Sequence, residues 1–216
     1  MKPLTAFILS AALFSAGCQS LYDKSLEKFF GVEKRELLKK AVESVNSDQK
    51  KAQEEFKDAL TVLKELYAFE GGDLERVYNK FKASYTDAQV QSDAVHKRIA
   101  NMERTARSLF SEWNAEIRQY TNAAMAEDSK AQLAETKNRY TQLSRSVRES
   151  ERSMKPVLKQ LNDNVLYLKH NLNASAIGSL KGESALIESQ IDELIKKMNA
   201  SMEESDAFIK TMLKKK

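Results

Sequence analysis

Apolar residues recur along the chain at alternating steps of four and three residues, the spacing that keeps them on one face of a long helix. One such seam covers residues 38–66, and a second covers residues 74–113. Between the two seams, Gly71 and Gly72 are suited to end a helix, and Asp73 is suited to cap the next one. The pattern therefore predicts two long helices joined by a short turn.

Folding these two helices back on the turn places seam residues opposite each other when their numbers sum to 140 or 141. In that register apolar residues meet apolar residues, as Leu63 meets Tyr78. The only two polar seam residues, Gln49 and Ser92, also meet. Because the two patterns agree, we predict an antiparallel hairpin over residues 20–121, with its register fixed by a Gln49–Ser92 contact.

Two further seams predict a second hairpin over residues 129–213. Residues 129–132 read Ser-Lys-Ala-Gln, a capping box that should begin the third helix. An extra step of four residues falls beside Pro156, where a proline inside a helix should produce a kink. The third and fourth seams pair at sums of 358 or 359, and the tip over residues 171–183 has room for a short extra helix.

Together the seams predict an all-α fold, in which two long antiparallel coiled-coil hairpins pack as an elongated four-helix bundle and the third helix is kinked at its proline. We expect residues 18–216 to form this single helical domain. The first and third helices should each run away from the N-terminal end, so both hairpin tips should lie at the end of the rod far from Cys18.

The first seventeen residues have the layout of a bacterial signal peptide. Lys2 supplies a positive start, and residues 4–14 form an apolar stretch that is too short to span a bilayer. The small residues 15–17 then precede Cys18, the only cysteine, and this resembles the lipobox of bacterial lipoproteins, although Ser15 stands where leucine is usual. The alternative is an ordinary signal peptide with an incidental cysteine.

The lipobox resemblance implies cleavage after Gly17 and attachment of acyl chains such as palmitate to Cys18. Two or more acyl chains anchor a protein stably to a membrane. The next residue, Gln19, is not the aspartate that redirects enterobacterial-type sorting. We therefore expect a lipid-anchored protein of the bacterial cell envelope, on the outer membrane and facing the periplasm.

Charge and motif content argue against several classes of function. The 35 basic and 31 acidic residues are interleaved, whereas a nucleic-acid-binding protein usually concentrates basic residues on one face. Neither glycine-rich phosphate motif occurs, and the two histidines, His96 and His170, have no cysteine or histidine at metal-ligand spacing. We therefore expect no nucleic-acid or nucleotide partner, no metal, no cofactor and no enzymatic activity.

The candidate binding residues lie at the two predicted tips. The stretch 163–173 mixes an apolar helix with several asparagines and a histidine, and two interpretations of it remain open. It is either a helix end, with basic side chains near the negative end of the helix dipole, or a recognition surface for a partner. The candidate residues at the two tips are Gly71, Gly72, Asp73, Lys169, His170, Asn171 and Asn173.

Four stretches together resemble one known family. They are Glu-Lys-Arg-Glu at residues 33–36, Phe-Glu-Gly-Gly-Asp-Leu-Glu at 69–75, Leu-Phe-Ser-Glu-Trp at 109–113 and Leu-Lys-His-Asn-Leu-Asn-Ala at 168–174. The chain is similar, over nearly its whole mature length, to the bacterial family called domain of unknown function 2959, which is found in lipoproteins of proteobacteria. The resemblance implies no activity.

The sequence alone favours a lipid-anchored periplasmic helical scaffold or adaptor, which would bind an envelope protein through its distal tips. The alternative is a lipid-binding or membrane-remodelling helical protein that lies on the bilayer surface. Such a protein needs a continuous basic or apolar outer face. The lysines and arginines outside the seams are instead mixed with acidic residues, and this favours the scaffold.

Overall fold

A computed structural model describes residues 19–213, with side chains from Lys34 to Met212 except those of Ala174 and Glu183. Five helices and one short 3-10 turn follow one another in this part of the chain. They are α1 (Gln19–Tyr67), α2 (Leu74–Ile117), α3 (Ala123–His170), α4 (Ala174–Leu180), the 3-10 turn (Lys181–Glu183) and α5 (Ser184–Leu213). The predicted signal peptide over residues 1–17 and the predicted lipidation site at Cys18 lie outside the described residues.

The four long helices form an antiparallel bundle, which confirms the all-α prediction. Helix α1 packs against α2 and α5, and α3 packs against the same two helices, so the contacts close into a ring around one core. The core is continuous along the rod and is made of the apolar seam residues, such as Phe56, Phe81, Leu143 and Leu194. No helix between residues 19 and 213 is both long enough and apolar enough to cross a membrane.

The first hairpin turns where its glycines predict. Gly72 has a φ of 111°, a conformation that residues with a side chain rarely adopt, and the side chain of Asp73 accepts a hydrogen bond from the backbone N–H of Arg76 at 3.0 Å. An ion pair between Lys80 and Glu65, with 2.7 Å between Nζ and Oε2, joins the two helices beyond the turn. The numbers of this pair sum to 145, slightly more than one helical turn from the predicted register, whereas Gln91 Nε2 donates to the carbonyl of Asp48 at 3.1 Å with a sum of 139.

The hydrogen bonds of Gln49 go to α3 and α5 and not to Ser92, and direct contact between Gln49 and Ser92 stays a prediction. Gln49 is fully buried, but its Nε2 donates to Ser150 Oγ of α3 at 2.6 Å and its Oε1 accepts from Ser201 Oγ of α5 at 2.8 Å. Ser92 is only half-buried and lies beside a surface groove between α2 and α3. The physical reason is that a seam residue in a four-helix bundle faces the shared core, where its polar partners belong to other helices than its own hairpin neighbour.

The predicted register of the second hairpin is wrong by about one heptad. Ser150 and Ser201 bind the same side chain and therefore lie at one level, and their numbers sum to 351 rather than 358 or 359. Helix α4 accounts for the difference, because it fills the top of the core with Ala176, Ile177 and Leu180. The connection between α3 and α5 therefore includes α4, and it is longer than a direct turn between these two helices would be.

The predicted capping box at residues 129–132 is also wrong, because α3 begins six residues earlier than Ser129. The side chain of Asn122 accepts a hydrogen bond from the backbone N–H of Met125 at 3.2 Å and caps the helix there. Ser129 lies inside α3 and accepts a hydrogen bond from Trp113 Nε1 at 2.9 Å instead. Pro156 lies within α3, which is helical on both sides of it, and the kink stays a prediction.

Candidate functional site

Both hairpin tips lie at the same end of the bundle. Near the end of α1, the hydroxyl of Tyr67 donates to Asn164 Oδ1 of α3 at 2.6 Å, and Lys64 Nζ lies 2.6 Å from Glu188 Oε1 of α5. At the start of α2, the hydroxyl of Tyr78 donates to the carbonyl of Val165 at 3.4 Å. All four long helices therefore reach this level. We call the region beyond it, residues 68–77 and 166–186, the distal end.

The first tip is an exposed turn with space around it. Gly71, Gly72 and Asp73 are all exposed, and a side chain added at either glycine would meet no neighbouring atom within 4 Å. The fold uses Gly72 for its backbone conformation and Asp73 as the helix cap. Gly71 has neither of these two roles, so the turn could accept a larger side chain at that position.

The second tip divides the four predicted residues into two groups. The Nδ2 of Asn171 donates to the carbonyl of Tyr167 at 3.0 Å, and Asn173 Oδ1 accepts from the backbone N–H of Ala176 at 2.9 Å. Both asparagines therefore act as helix caps, as the helix-end interpretation predicts.

Lys169 and His170 are the last two residues of α3, and both are exposed. Among the described residues, neither side chain takes part in a hydrogen bond or an ion pair. Their charges can interact favourably with the negative end of the α3 dipole. This interaction does not hold either side chain in one position. These two side chains are therefore free to contact a partner, whereas each exposed asparagine already uses one of its polar atoms in a cap, and partner binding by all four residues stays a prediction.

The distal end also exposes large apolar side chains that our sequence reasoning did not select. Leu166 is 53% exposed, Tyr167 is 42% exposed and Leu186 is 55% exposed. A signal for two of them was present in the sequence, because Leu166 and Tyr167 fall between the seam positions of α3 and cannot face the same core. These are three of the seven large apolar side chains that the described residues expose, and such side chains are typical of protein-binding surfaces where they form a patch.

A rigid base supports these exposed groups. In α4, Ala176, Ile177 and Leu180 are buried against the top of the core. The connection between α3 and α5 is therefore packed onto the bundle and does not extend freely from it. Loops held by a rigid scaffold in this way are where binding residues concentrate.

A small cavity of about 270 Å³ lies toward the opposite end of the rod, between Trp113 and Phe208. The guanidinium carbon of Arg35 lies 4.6 Å from the centre of the Trp113 ring in a cation–π contact, and both residues line the cavity. Nearby, burial raises the pKa of Tyr140 to about 12. Within residues 34–212, leaving out Glu183, no three His, Cys, Asp or Glu side chains come together in a way that could hold a metal ion.

The family comparison agrees with the resemblance that the four sequence stretches carry. No curated protein is similar enough to this chain to count as a match. One family model, described as protein of unknown function (DUF2959), matches residues 22–212, which include all of α2 to α4 and nearly all of α1 and α5. The chain therefore belongs to the DUF2959 family.

Proposed function

We propose that the protein is a lipid-anchored periplasmic scaffold or adaptor of the cell envelope, which binds a protein partner through its distal end. The observation that supports this most directly is the direction of the helices, because α1 begins at one end of the rod and both tips lie at the other. Helix α1 has 49 residues. At 1.5 Å per residue it is about 74 Å long. An anchor on Cys18 would let the distal end stand up to that distance from the membrane.

The exposed side chains of the distal end suit a protein partner. Leu166, Tyr167 and Leu186 supply apolar contact area, and Lys169 and His170 supply hydrogen-bond donors beside it. Interfaces between proteins typically combine a few aromatic and aliphatic anchors with a polar rim. None of these five side chains is needed for the core or for the caps.

Site-specific photo-crosslinking in intact cells tests this proposal. A photoreactive phenylalanine analogue is placed at Lys169 or His170 at the distal end, or at Lys57 or Val90, which are exposed along the middle of the rod. We expect the two distal positions to trap the same protein and the two middle positions to trap none. Crosslinks from the middle positions alone would contradict the proposal and would place recognition on the side of a hairpin.

A pair of variants separates binding from folding. With the photoreactive analogue moved to Leu186, which is 55% exposed at the same end, Lys169→Ala with His170→Ala should change the free energy of unfolding by less than about 0.5 kcal/mol, while weakening the crosslink. Asn173→Ala removes a helix cap and should cost about 1 kcal/mol. If the first variant folds normally and keeps the full crosslink, these two residues are not part of the recognition surface.

The alternative function, binding along a bilayer surface, makes a different prediction. A protein that lies on the membrane should bind lipid vesicles even without its own acyl chains. We expect the Cys18→Ser protein, purified without lipid, to remain in solution when vesicles of anionic phospholipid are sedimented. Sedimentation of this variant with the vesicles would favour the alternative.

A further inference from the structure

A polar groove of about 650 Å³ runs between α2 and α3, halfway along the rod. The two helices touch on both sides of it. Toward the distal end the hydroxyl of Tyr78 donates to the carbonyl of Val165, and on the other side Arg148 binds both carboxylate oxygens of Glu103 at 2.7 and 2.8 Å. The groove is therefore an opening within a seam that is otherwise closed. Its last lining residue on α3 is Asn162, seven residues or about 10 Å along the helix from Lys169.

The sequence explains why the helices separate here. The wall from α2 presents Tyr85, Gln89, Ser92 and His96 at steps of four, three and four residues, so one stripe of the helix is polar or half-buried where an apolar seam would be expected. Leu158 is the only buried residue among those that line the groove. The helices have too little apolar surface at this level to pack closely.

Pro156 lies within the stretch of α3 that forms the other wall. A proline has no N–H, so it cannot donate to the carbonyl of Arg152 four residues earlier, and the regular bonding of α3 is interrupted beside the groove. The seam of α3 also takes its extra step of four residues at this point. The irregularity that the sequence shows at Pro156 therefore coincides with the groove.

The α3 wall carries a row of cations without carboxylate partners. Arg152, Lys155 and Lys159 are exposed and lie at steps of three and four residues, so they share one face of the helix. Among the described residues, none of the three takes part in an ion pair. The row is about 10 Å long, at a rise of 1.5 Å per residue. An anionic ligand can therefore use all three charges.

Arg148 and Glu151, which also line the groove, are already paired, while Asp93 is in no ion pair within the described part of the chain. Arg148 is bound by Glu103 and by Glu151, whose Oε2 lies 2.8 Å from Nη1, and Glu151 also contacts His96. The hydrogen bond to Arg148 lowers the pKa of Glu103. Asp93 accepts a hydrogen bond from Gln89 at 3.2 Å. The positive charge available to a ligand is therefore that of the three-residue row.

The shape and chemistry of the groove favour one kind of anion. A partner helix would need exposed apolar side chains to bury, and the only apolar residues that line the groove are Tyr85, which is half-buried, and Leu158, which is buried. A single phosphate would use one focused site, whereas these cations are spread along the helix. The facing wall instead offers the amide of Gln89, the hydroxyl of Ser92 and the phenol of Tyr85, groups that both donate and accept hydrogen bonds.

We propose that this groove binds an acidic oligosaccharide. Arg152, Lys155 and Lys159 would bind carboxylate or sulfate groups along the saccharide, and Gln89 and Ser92 would bind its hydroxyl groups. Ion pairs to guanidinium and ammonium groups supply most of the affinity, and the amide and hydroxyl contacts distinguish a saccharide from other anions. This site does not depend on the proposed role of the distal end.

Calorimetric titration of the purified full-length mature protein tests the proposal. The probes are a short galacturonate oligomer, the same oligomer with its carboxylates reduced to neutral groups, and a glutamate peptide of equal charge. We expect the galacturonate oligomer to bind at least about tenfold more tightly than either of the others, a difference of about 1.4 kcal/mol. No binding of galacturonate would overturn the proposal, and tighter binding of the peptide would replace it with a site for acidic protein segments.

Two variants of equal charge locate the site. One carries Arg152→Gln, Lys155→Gln and Lys159→Gln in the groove. The other carries Lys40→Gln, Lys50→Gln and Lys57→Gln, at exposed positions of α1 outside the groove. We expect the groove variant to lose at least about tenfold in affinity and the α1 variant to lose less than about twofold. Equal losses of affinity in the two variants would show that the net charge alone attracts the ligand, and this would overturn the proposal. Circular dichroism would show that both variants fold.

Discussion

Replacing Gln49 by leucine tests whether its buried amide stabilises the bundle or mainly defines which residues pair. The amide makes two hydrogen bonds between helices, to Ser150 and from Ser201. When it is removed, neither serine is left without an acceptor, because the carbonyls of Val147 and Met198 lie 2.9 and 3.0 Å from their hydroxyl oxygens. The substitution therefore leaves no buried hydroxyl donor unsatisfied.

The expected magnitude follows from two opposing contributions. Losing two hydrogen bonds costs about 1 kcal/mol each, while leucine avoids the cost of burying an amide, which is about 1–3 kcal/mol in proteins. Gln49→Leu should therefore change the free energy of unfolding by less than about 1 kcal/mol. The double variant Ser150→Ala with Ser201→Ala keeps the buried Gln49 amide and removes both of its hydrogen-bond partners. This should cost about 2–6 kcal/mol, at 1–3 kcal/mol for each unsatisfied group.

Urea unfolding followed by circular dichroism measures these differences, provided that the dependence on urea stays the same among the variants. The decisive protein combines all three substitutions, because replacing Gln49 should then restore most of the stability that the two alanines remove. If the triple variant is as unstable as the double variant, the unsatisfied amide is not the cause. Light scattering should show whether Gln49→Leu also permits slipped or dimeric bundles.

Three further outcomes follow from the sequence and the structure. Cys18→Ser should abolish labelling by a palmitate analogue and release the protein from the membrane fraction, and equal labelling of both proteins would exclude lipidation at this residue. Asp73→Ala should lower the free energy of unfolding by about 1 kcal/mol in a urea titration, while Asp73→Asn, which keeps an acceptor, should lower it less. The raised pKa of Tyr140 should make the wild type lose stability relative to Tyr140→Phe as the pH rises from 10 to about 12, and a constant difference over that range would contradict this.

The first hairpin could be predicted from the sequence because a short turn fixes it. Gly71, Gly72 and Asp73 leave no freedom in the length of the connection, so the two seams can pair in only one way. The second hairpin has a heptad repeat on both sides of a longer connection. A shift of seven residues leaves such a pattern unchanged, and the pattern did not reveal that α4 adds to the core.

Parts of the candidate site were predictable for a related reason. Caps depend on local sequence, so Asp73 and the helix-end interpretation of Asn171 and Asn173 followed from the residue types. The groove between α2 and α3 depends on where two distant stretches of chain come together, and neither stretch shows this by itself. The partner of Gln49 was missed because pairs of helices were compared, whereas a bundle core is built from layers that all four helices share.

The exposed turn at Gly71 and Gly72 makes this chain suitable for division into two fragments. Helix α1 contacts α5 as well as α2, so a chain cut at the turn keeps both of these interfaces. Neither glycine has a neighbouring atom that an inserted protease site would displace. The two pieces should therefore remain associated after cleavage, and either piece supplied alone could capture the other in living cells as a complementation reporter.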